Sequence, residues 1–297
     1  MSPTFEEKLQ IAEKLRTTHV VQPSIPPEYD RYVEAVSVEA RIVPTREGDT
    51  KVFVISPKNA GDESSLFINI HGGGFVRPHE HRDIVFSAMV ACRVGCKVID
   101  IDYKLAPEYP FPTAFNECYD VVKWAFGNAK ALGVSVEKIA VGGHSAGGNL
   151  TAALALMANK SKDFAMTLQI LDYAFLDAVT DPAEKVSATD LIPVERFRAF
   201  NAMYVEDPAD LSNPFVSPVM ADAEMLEGLP PALVITAGQD CLRNEAEKYA
   251  AMMIAAGVEV TVKRYLNSNH GFVVHCLAEY SGAHDLICAA LNKAFNV

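Results

Sequence analysis

Six short apolar runs separated by helical stretches begin at Leu66, and this alternation limits what the chain can fold into more than any other feature. Runs that stay apolar on both faces belong in a parallel sheet, and parallel neighbours need a helical crossover between them. The strands read as Leu66 to Ile70, Cys96 to Ile101, Lys138 to Val141, Leu168 to Tyr173, Ala232 to Thr236 and Glu259 to Tyr265. Helical periodicity fills Asp83 to Val94, Ala114 to Leu132, the Ala-rich run after Ser145, Asn244 to Ala256 and Ala283 to Ala294, with Gly257 suited to a helix C-cap. Ahead of them, Val36 to Val43 and Lys51 to Ser56 flank turn chemistry at Thr45 to Asp49 and predict an antiparallel hairpin at a sheet edge. The predicted class is α/β: a mostly parallel twisted sheet flanked by helices, in one domain of 297 residues.

Two segments fall outside this pattern. Thr4 and Glu7 form a capping box ahead of Phe5, Leu9, Ala12 and Leu15 at helical spacing, and Pro23, Pro26 and Pro27 then interrupt regular structure. The first 36 residues or so therefore read as a small helical appendage. Between Asp177 and Pro218, Pro193, Val194, Phe197, Phe200 and Tyr204 trace one aromatic-rich helical face. That face suits an ordinary core helix, or a lid folded with the N-terminal helix over Ser145.

Ser145 draws attention because Lys138 to Val141 runs through Gly142-Gly143-His144-Ser145-Ala146-Gly147-Gly148 straight into a helix. A sharp strand-to-helix turn leaves no room for side chains beside its central residue, and Gly143 and Gly147 meet that condition. Ser145 would then project at the carboxyl end of the sheet, with the Ala146 N–H at a helix N-terminus facing any developing anion. Taken alone, the stretch serves equally well as a small-residue turn in a plain crossover.

Context adds to it. His71-Gly72-Gly73-Gly74-Phe75 follows the first parallel strand, and three consecutive glycines suit a loop that bares backbone N–H groups to a ligand. A seryl hydroxyl needs a base, and the base needs a group that holds its tautomer. Asp240 and His270 follow the last two strands, in the order Ser145, Asp240, His270. Asp172 and Asp177 are rival acids one strand earlier. His275 and His284 fall in or beside the last helix, where a packed or surface imidazole suffices. His79 and His81 form a His-Glu-His loop without a third ligand at useful spacing, so no metal is assigned.

Composition narrows the partners. A hydrophobic content of 49% and charged content of 22% suit a globular protein with a large core, and a net charge of −12 repels nucleic acid and anionic membranes. No run of eighteen apolar residues and no signal-like N-terminus is present, which points to a cytoplasmic protein without membrane insertion. Cys92, Cys96, Cys118, Cys241, Cys276 and Cys288 are dispersed without metal spacing and read as free thiols.

Together, His71 to Phe75, Asp102-Tyr103-Lys104-Leu105-Ala106-Pro107-Glu108-Tyr109-Pro110-Phe111-Pro112, Gly143 to Gly148, Asp240 with Leu242 and Glu245, and His270-Gly271-Phe272 resemble the hormone-sensitive-lipase-like esterases, α/β-hydrolases with an HGGG motif. The resemblance runs from about residue 40 to the C-terminus. It implies Ser145 as nucleophile, His270 as base, Asp240 as its orienting acid, and the N–H groups of Gly73, Gly74 and Ala146 as an oxyanion hole. His71 and Gly72 would support that loop. It also implies a helical cap from about 1–36 and 178–214 over a core of about 37–177 and 215–297, with Phe75, Phe197, Phe200 and Tyr204 as candidate pocket residues. Three positions depart from the family pattern: Cys241 stands where proline is common, Asn244 where an acid is, and His144 where aspartate is.

The expected function is hydrolysis of neutral carboxylic esters with short to medium acyl chains, acetyl esters among them, without a cofactor. The alternatives are an amidase or peptidase on the same fold, and a small-molecule receptor that has lost catalysis; such receptors lack the histidine present here as His270. The strand Glu259 to Tyr265 or the last helix could pair two subunits as a homodimer.

Overall fold

The computed structural model describes residues 3–19, 21–59, 63–185 and 192–296. In chain order its elements are α1 (Phe5–Thr17), α2 (Asp30–Ala35), β1 (Val36–Thr45), β2 (Gly48–Pro57), β3 (Ser64–Ile70), α3 (His81–Val94), β4 (Lys97–Asp102), α4 (Thr113–Gly127) and β5 (Val134–His144). There follow α5 (Ala146–Ser161), β6 (Gln169–Asp172), α6 (Val194–Tyr204), α7 (Ala223–Leu226), β7 (Ala232–Ala237), α8 (Arg243–Ala255), β8 (Val260–Tyr265) and α9 (Tyr280–Phe295). Among the described residues the strands form one sheet in the order β1-β2-β4-β3-β5-β6-β7-β8. The β1–β2 hairpin is antiparallel and β2 joins β4 antiparallel; every later neighbour is parallel.

The two-faced apolar strands have a simple cause. In β3, Leu66, Ile68 and Ile70 pack into the layer of α4, α5 and α8, while Phe67 points into the layer of α3 and α9. Two elements differ most from the sequence reading. β5 begins at Val134, four residues early, because Val134-Ser135-Val136-Glu137 alternates and leaves Val136 exposed; the continuous apolar signal starts only at Ile139. α4 stops at Gly127, where Asn128 turns its side-chain amide back onto the Trp124 carbonyl, so Ala129 and Leu132 are buried in turns rather than helix.

The N-terminal segment divides. α1, with the Thr4–Glu7 capping box in place, buries Ala12 and Leu15 against Val76, Ala106 and Met203 of α6. Arg16 fastens it, donating to the Val76 and Ala106 carbonyls and doubly to Glu108. α2 instead lies on the α3 and α9 side, where the Tyr29 hydroxyl meets His284 Nδ1 at 3.0 Å. In the stretch 178–214, positions 186–191 lie outside the described residues, as do 1, 2 and 20 of the N-terminal stretch. No helix among the described residues is long and apolar enough to cross a membrane.

Candidate active site

Ser145 sits between β5 and α5 at φ 55° and ψ −112°, a conformation that costs an L-residue roughly 1–3 kcal/mol. Its surroundings hold it there: its N–H donates to the Asp172 carbonyl at 2.9 Å, and its carbonyl accepts from Asn149 and Phe175. The flanking glycines are required by contact. A Cβ on Gly147 would lie 2.0 Å from the Ile70 carbonyl oxygen, and one on Gly143 would lie 2.4 Å from the Gly147 carbonyl. The helix thus approaches the sheet at backbone distance.

His270 Nε2 is 2.9 Å from Ser145 Oγ, and His270 Nδ1 is 2.8 Å from Asp240 Oδ2. Asp240 is almost fully buried, and its other carboxylate oxygen accepts the Leu242 N–H at 3.1 Å, which fixes its rotation. Burial by itself would lower the His270 pKa, but the Asp240 charge and hydrogen bond, with smaller help from Asp172 and Glu245, raise it above the ordinary histidine value.

The glycine loop faces this relay. Gly73 and Gly74 take φ of 119° and 62°, which glycine alone adopts freely, and a Cβ on Gly72 would come within 2.9 Å of the His144 carbonyl oxygen. Among the described residues the N–H groups of Gly73, Gly74 and Ala146 donate to no acceptor. His71 is buried, stacks on Tyr103 at 4.1 Å and holds the Gly72 carbonyl at 2.7 Å through Nδ1, while the Tyr103 hydroxyl donates to the His71 carbonyl.

The remaining candidates part company. Asp172 meets His144 Nδ1 at 2.6 Å; burial raises its pKa, with His144 offsetting part of the effect. The two are register partners at the ends of β6 and β5. Asp177 accepts the N–H groups of Val179 and Thr180, and Glu245 accepts those of Leu176 and Asp177 while pairing with Lys185 at 2.6 Å. His79 lies 3.2 Å from Asp100, and no group of three metal-binding side chains occurs among the described residues.

Phe75, Phe197 and Phe200 line the cavity over Ser145, and Tyr204 does not. A turn beyond Phe200, Tyr204 points back into the core, stacking on Phe75 at 3.5 Å and edge-on to Phe111. Sequence reasoning missed Tyr173, whose ring meets His270 edge-on at 4.9 Å; its place directly after a strand end was the available signal. It also missed His19, Arg77, Arg82 and Arg196 on the cavity wall, and His275, read as a packed or surface imidazole, lines that wall as well; spacing gives no cue to this.

Comparison with known proteins bears on the fold and the family. A family model described as the α/β hydrolase fold matches residues 67–274. An arylesterase of Saccharolobus solfataricus is 35% identical over 213 residues, covering 71% of this chain and 69% of its own. Carboxylesterase NlhH of Mycobacterium tuberculosis is 33% identical over 261 residues, 84% of this chain and 79% of its own. The solved esterase of Pyrobaculum calidifontis superposes with a TM-score of 0.84 at 32% identity, over 96% of this chain and 92% of that one. The chain belongs to the α/β hydrolases, among the hormone-sensitive-lipase-like carboxylesterases.

Proposed function

We propose that the chain hydrolyses neutral carboxylic esters with short to medium acyl chains through an acyl-enzyme on Ser145. The observation that carries this is the continuous relay from Asp240 to His270 to Ser145 Oγ, at 2.8 and 2.9 Å, opposite three backbone N–H groups that donate to no acceptor among the described residues. Ser145 Oγ attacks the ester carbonyl while His270 Nε2 takes its proton, and His270 Nδ1–H stays hydrogen-bonded to the Asp240 carboxylate. The Gly73, Gly74 and Ala146 N–H groups receive the negative charge on the carbonyl oxygen. The imidazolium then gives its proton to the leaving alcohol, and water repeats the cycle to free the acid and restore Ser145. α6 acts as the cap, bringing Phe197 and Phe200 over these atoms, with α1 packed against it. The names borne by the relatives, arylesterase and carboxylesterase, support an ester as substrate.

Hydrolysis of p-nitrophenyl acetate and butyrate by the wild type and by Ser145→Ala tests the reading. We expect turnover by the wild type and a loss of about 10⁶-fold in kcat for the variant; equal rates would overturn it. An aryl ester series from acetyl to palmitoyl reads out chain length, and a preference for palmitoyl would refute the short-chain assignment. Protonated His270 cannot accept the Ser145 proton, and its pKa is raised. Activity should therefore fall with decreasing pH through a midpoint above the ordinary value of about 6.5.

A further inference from the structure

The cavity wall opposes the charge of the rest of the chain. The protein carries a net charge of −12, yet Arg77, Arg82 and Arg196 line the cavity against a single acid, Asp83. Asp83 is already engaged, accepting the Glu80 N–H at 2.8 Å where α3 begins. One carboxylate, Glu80, serves both Arg77 and Arg82. Arg77 spends its remaining contacts on the Leu15 and Thr18 carbonyls and on His19.

Arg196 differs from its neighbours. Its Nη2 reaches the same two carbonyls, at 3.1 and 2.9 Å. A guanidinium has five N–H donors, and those on Nε and Nη1 of Arg196 meet no acceptor among the described residues. No carboxylate among those residues pairs with it either. Burial, and then the charge of Arg77, push its pKa down. The same positive field reaches His275, held down to about 4 by burial and then by Arg82. Arg196 is also close to the chemistry: its Cζ lies 5.4 Å from the centroid of the Phe200 ring, and that ring packs directly on Gly74.

We propose that Arg196, with Arg82 lining the same cavity, forms an anion-recognising subsite, so that esters bearing a carboxylate at the end remote from the scissile bond are preferred substrates. The subsite rests on Ser145 ester hydrolysis and extends it from neutral to anionic esters. A partly buried guanidinium whose Nε and Nη1 donors meet no acceptor among the described residues offers a carboxylate short, charge-assisted hydrogen bonds that a neutral chain end cannot accept as strongly. Three guanidiniums against the two carboxylates of Asp83 and Glu80 leave a positive balance at the opening, which concentrates anions there despite the acidic surface beyond.

The test compares kcat/KM within two isosteric pairs, corrected for spontaneous hydrolysis. One pair is 4-acetoxybenzoate and 4-acetoxybenzamide, with the charge on the leaving group. The other is mono-4-nitrophenyl glutarate and its terminal amide, with the charge on the acyl group. In at least one pair we expect the carboxylate to be favoured about tenfold, with the preference shrinking as salt is added. Arg196→Gln should bring that ratio towards one and Arg196→Lys should keep part of it. Arg198→Gln, on the same helix but exposed and paired with Asp181 and Glu195, should leave the ratio as in the wild type. Preference for the amide in both pairs would overturn the subsite. So would an undiminished ratio in Arg196→Gln, which would make the side chain a cap on the α1 carbonyls and nothing more. Turnover of none of the four esters would instead remove the hydrolase reading beneath it.

Discussion

The two walls of the cavity are built by different means. On the sheet side, Ser145 is held by backbone: Gly147 against Ile70, Gly143 against Gly147, and the Ser145 N–H on the Asp172 carbonyl. On the opposite side α6, with α1 packed against it, is held by long side chains, with Arg16, Arg77 and Arg196 reaching across to carbonyls around a small apolar cluster of Ala12, Leu15, Val76, Ala106 and Met203. A backbone contact at van der Waals distance cannot yield without moving an element, whereas a side chain can change rotamer. On the proposed mechanism the reacting atoms therefore lie on the wall that cannot adjust, and the residues proposed to meet the rest of the substrate lie on the wall that can.

That contrast can be broken experimentally, and the largest effect belongs to the relay. Asp240→Asn leaves the volume intact but removes the charge that orients His270, so kcat should drop by about 10⁴-fold. With that charge gone burial prevails, and the acid limb of the residual activity should move to lower pH. An unmoved limb would assign the His270 shift to other groups.

A smaller loss is expected at the elbow itself. Gly147→Ala inserts one methyl where 2.0 Å is available, and overpacking of this kind costs typically 1–3 kcal/mol. Melting temperature and kcat should fall together, because the strain reaches Ser145 directly. If melting temperature falls while kcat holds, the rigid-wall account is wrong. The smallest effect belongs to the other wall. Thr4→Ala removes the cap of α1, worth about 1 kcal/mol of local helix stability. Faster amide hydrogen exchange confined to α1, with the global melting temperature unchanged, would separate the two walls; a global loss would join them.

The same difference decides what the sequence made legible. The elbow, the glycine loop and the Ser145, Asp240, His270 order are readable because sterics leave only glycine at Gly143 and Gly147, and because loops at strand ends collect at one edge of the sheet. The His144–Asp172 pair was hidden because it depends on which strand lies beside which, and that register is set by the whole sheet. Arg77 and Arg196 were hidden for another reason: both approach the carboxyl end of α1 from segments distant in sequence, and no local spacing encodes that meeting. The aromatic face of α6 was visible as a period, yet the period could not say that Tyr204 turns inward while Phe200 faces the cavity.

The left-handed backbone at position 145 has a consequence for how an inactive form should be made. Alanine deletes the hydroxyl but keeps a Cβ in a conformation that L-residues resist, so Ser145→Ala inherits the tension of the working enzyme. Glycine releases it. Ser145→Gly should be equally inert and melt above Ser145→Ala, at equal purity in the same buffer, making it the sturdier trap for an intact ester. A scanning calorimetry trace in which the glycine form melts lower would show that the elbow is relaxed as it stands. Otherwise the fold is paying in durability for the angle at which it presents one oxygen.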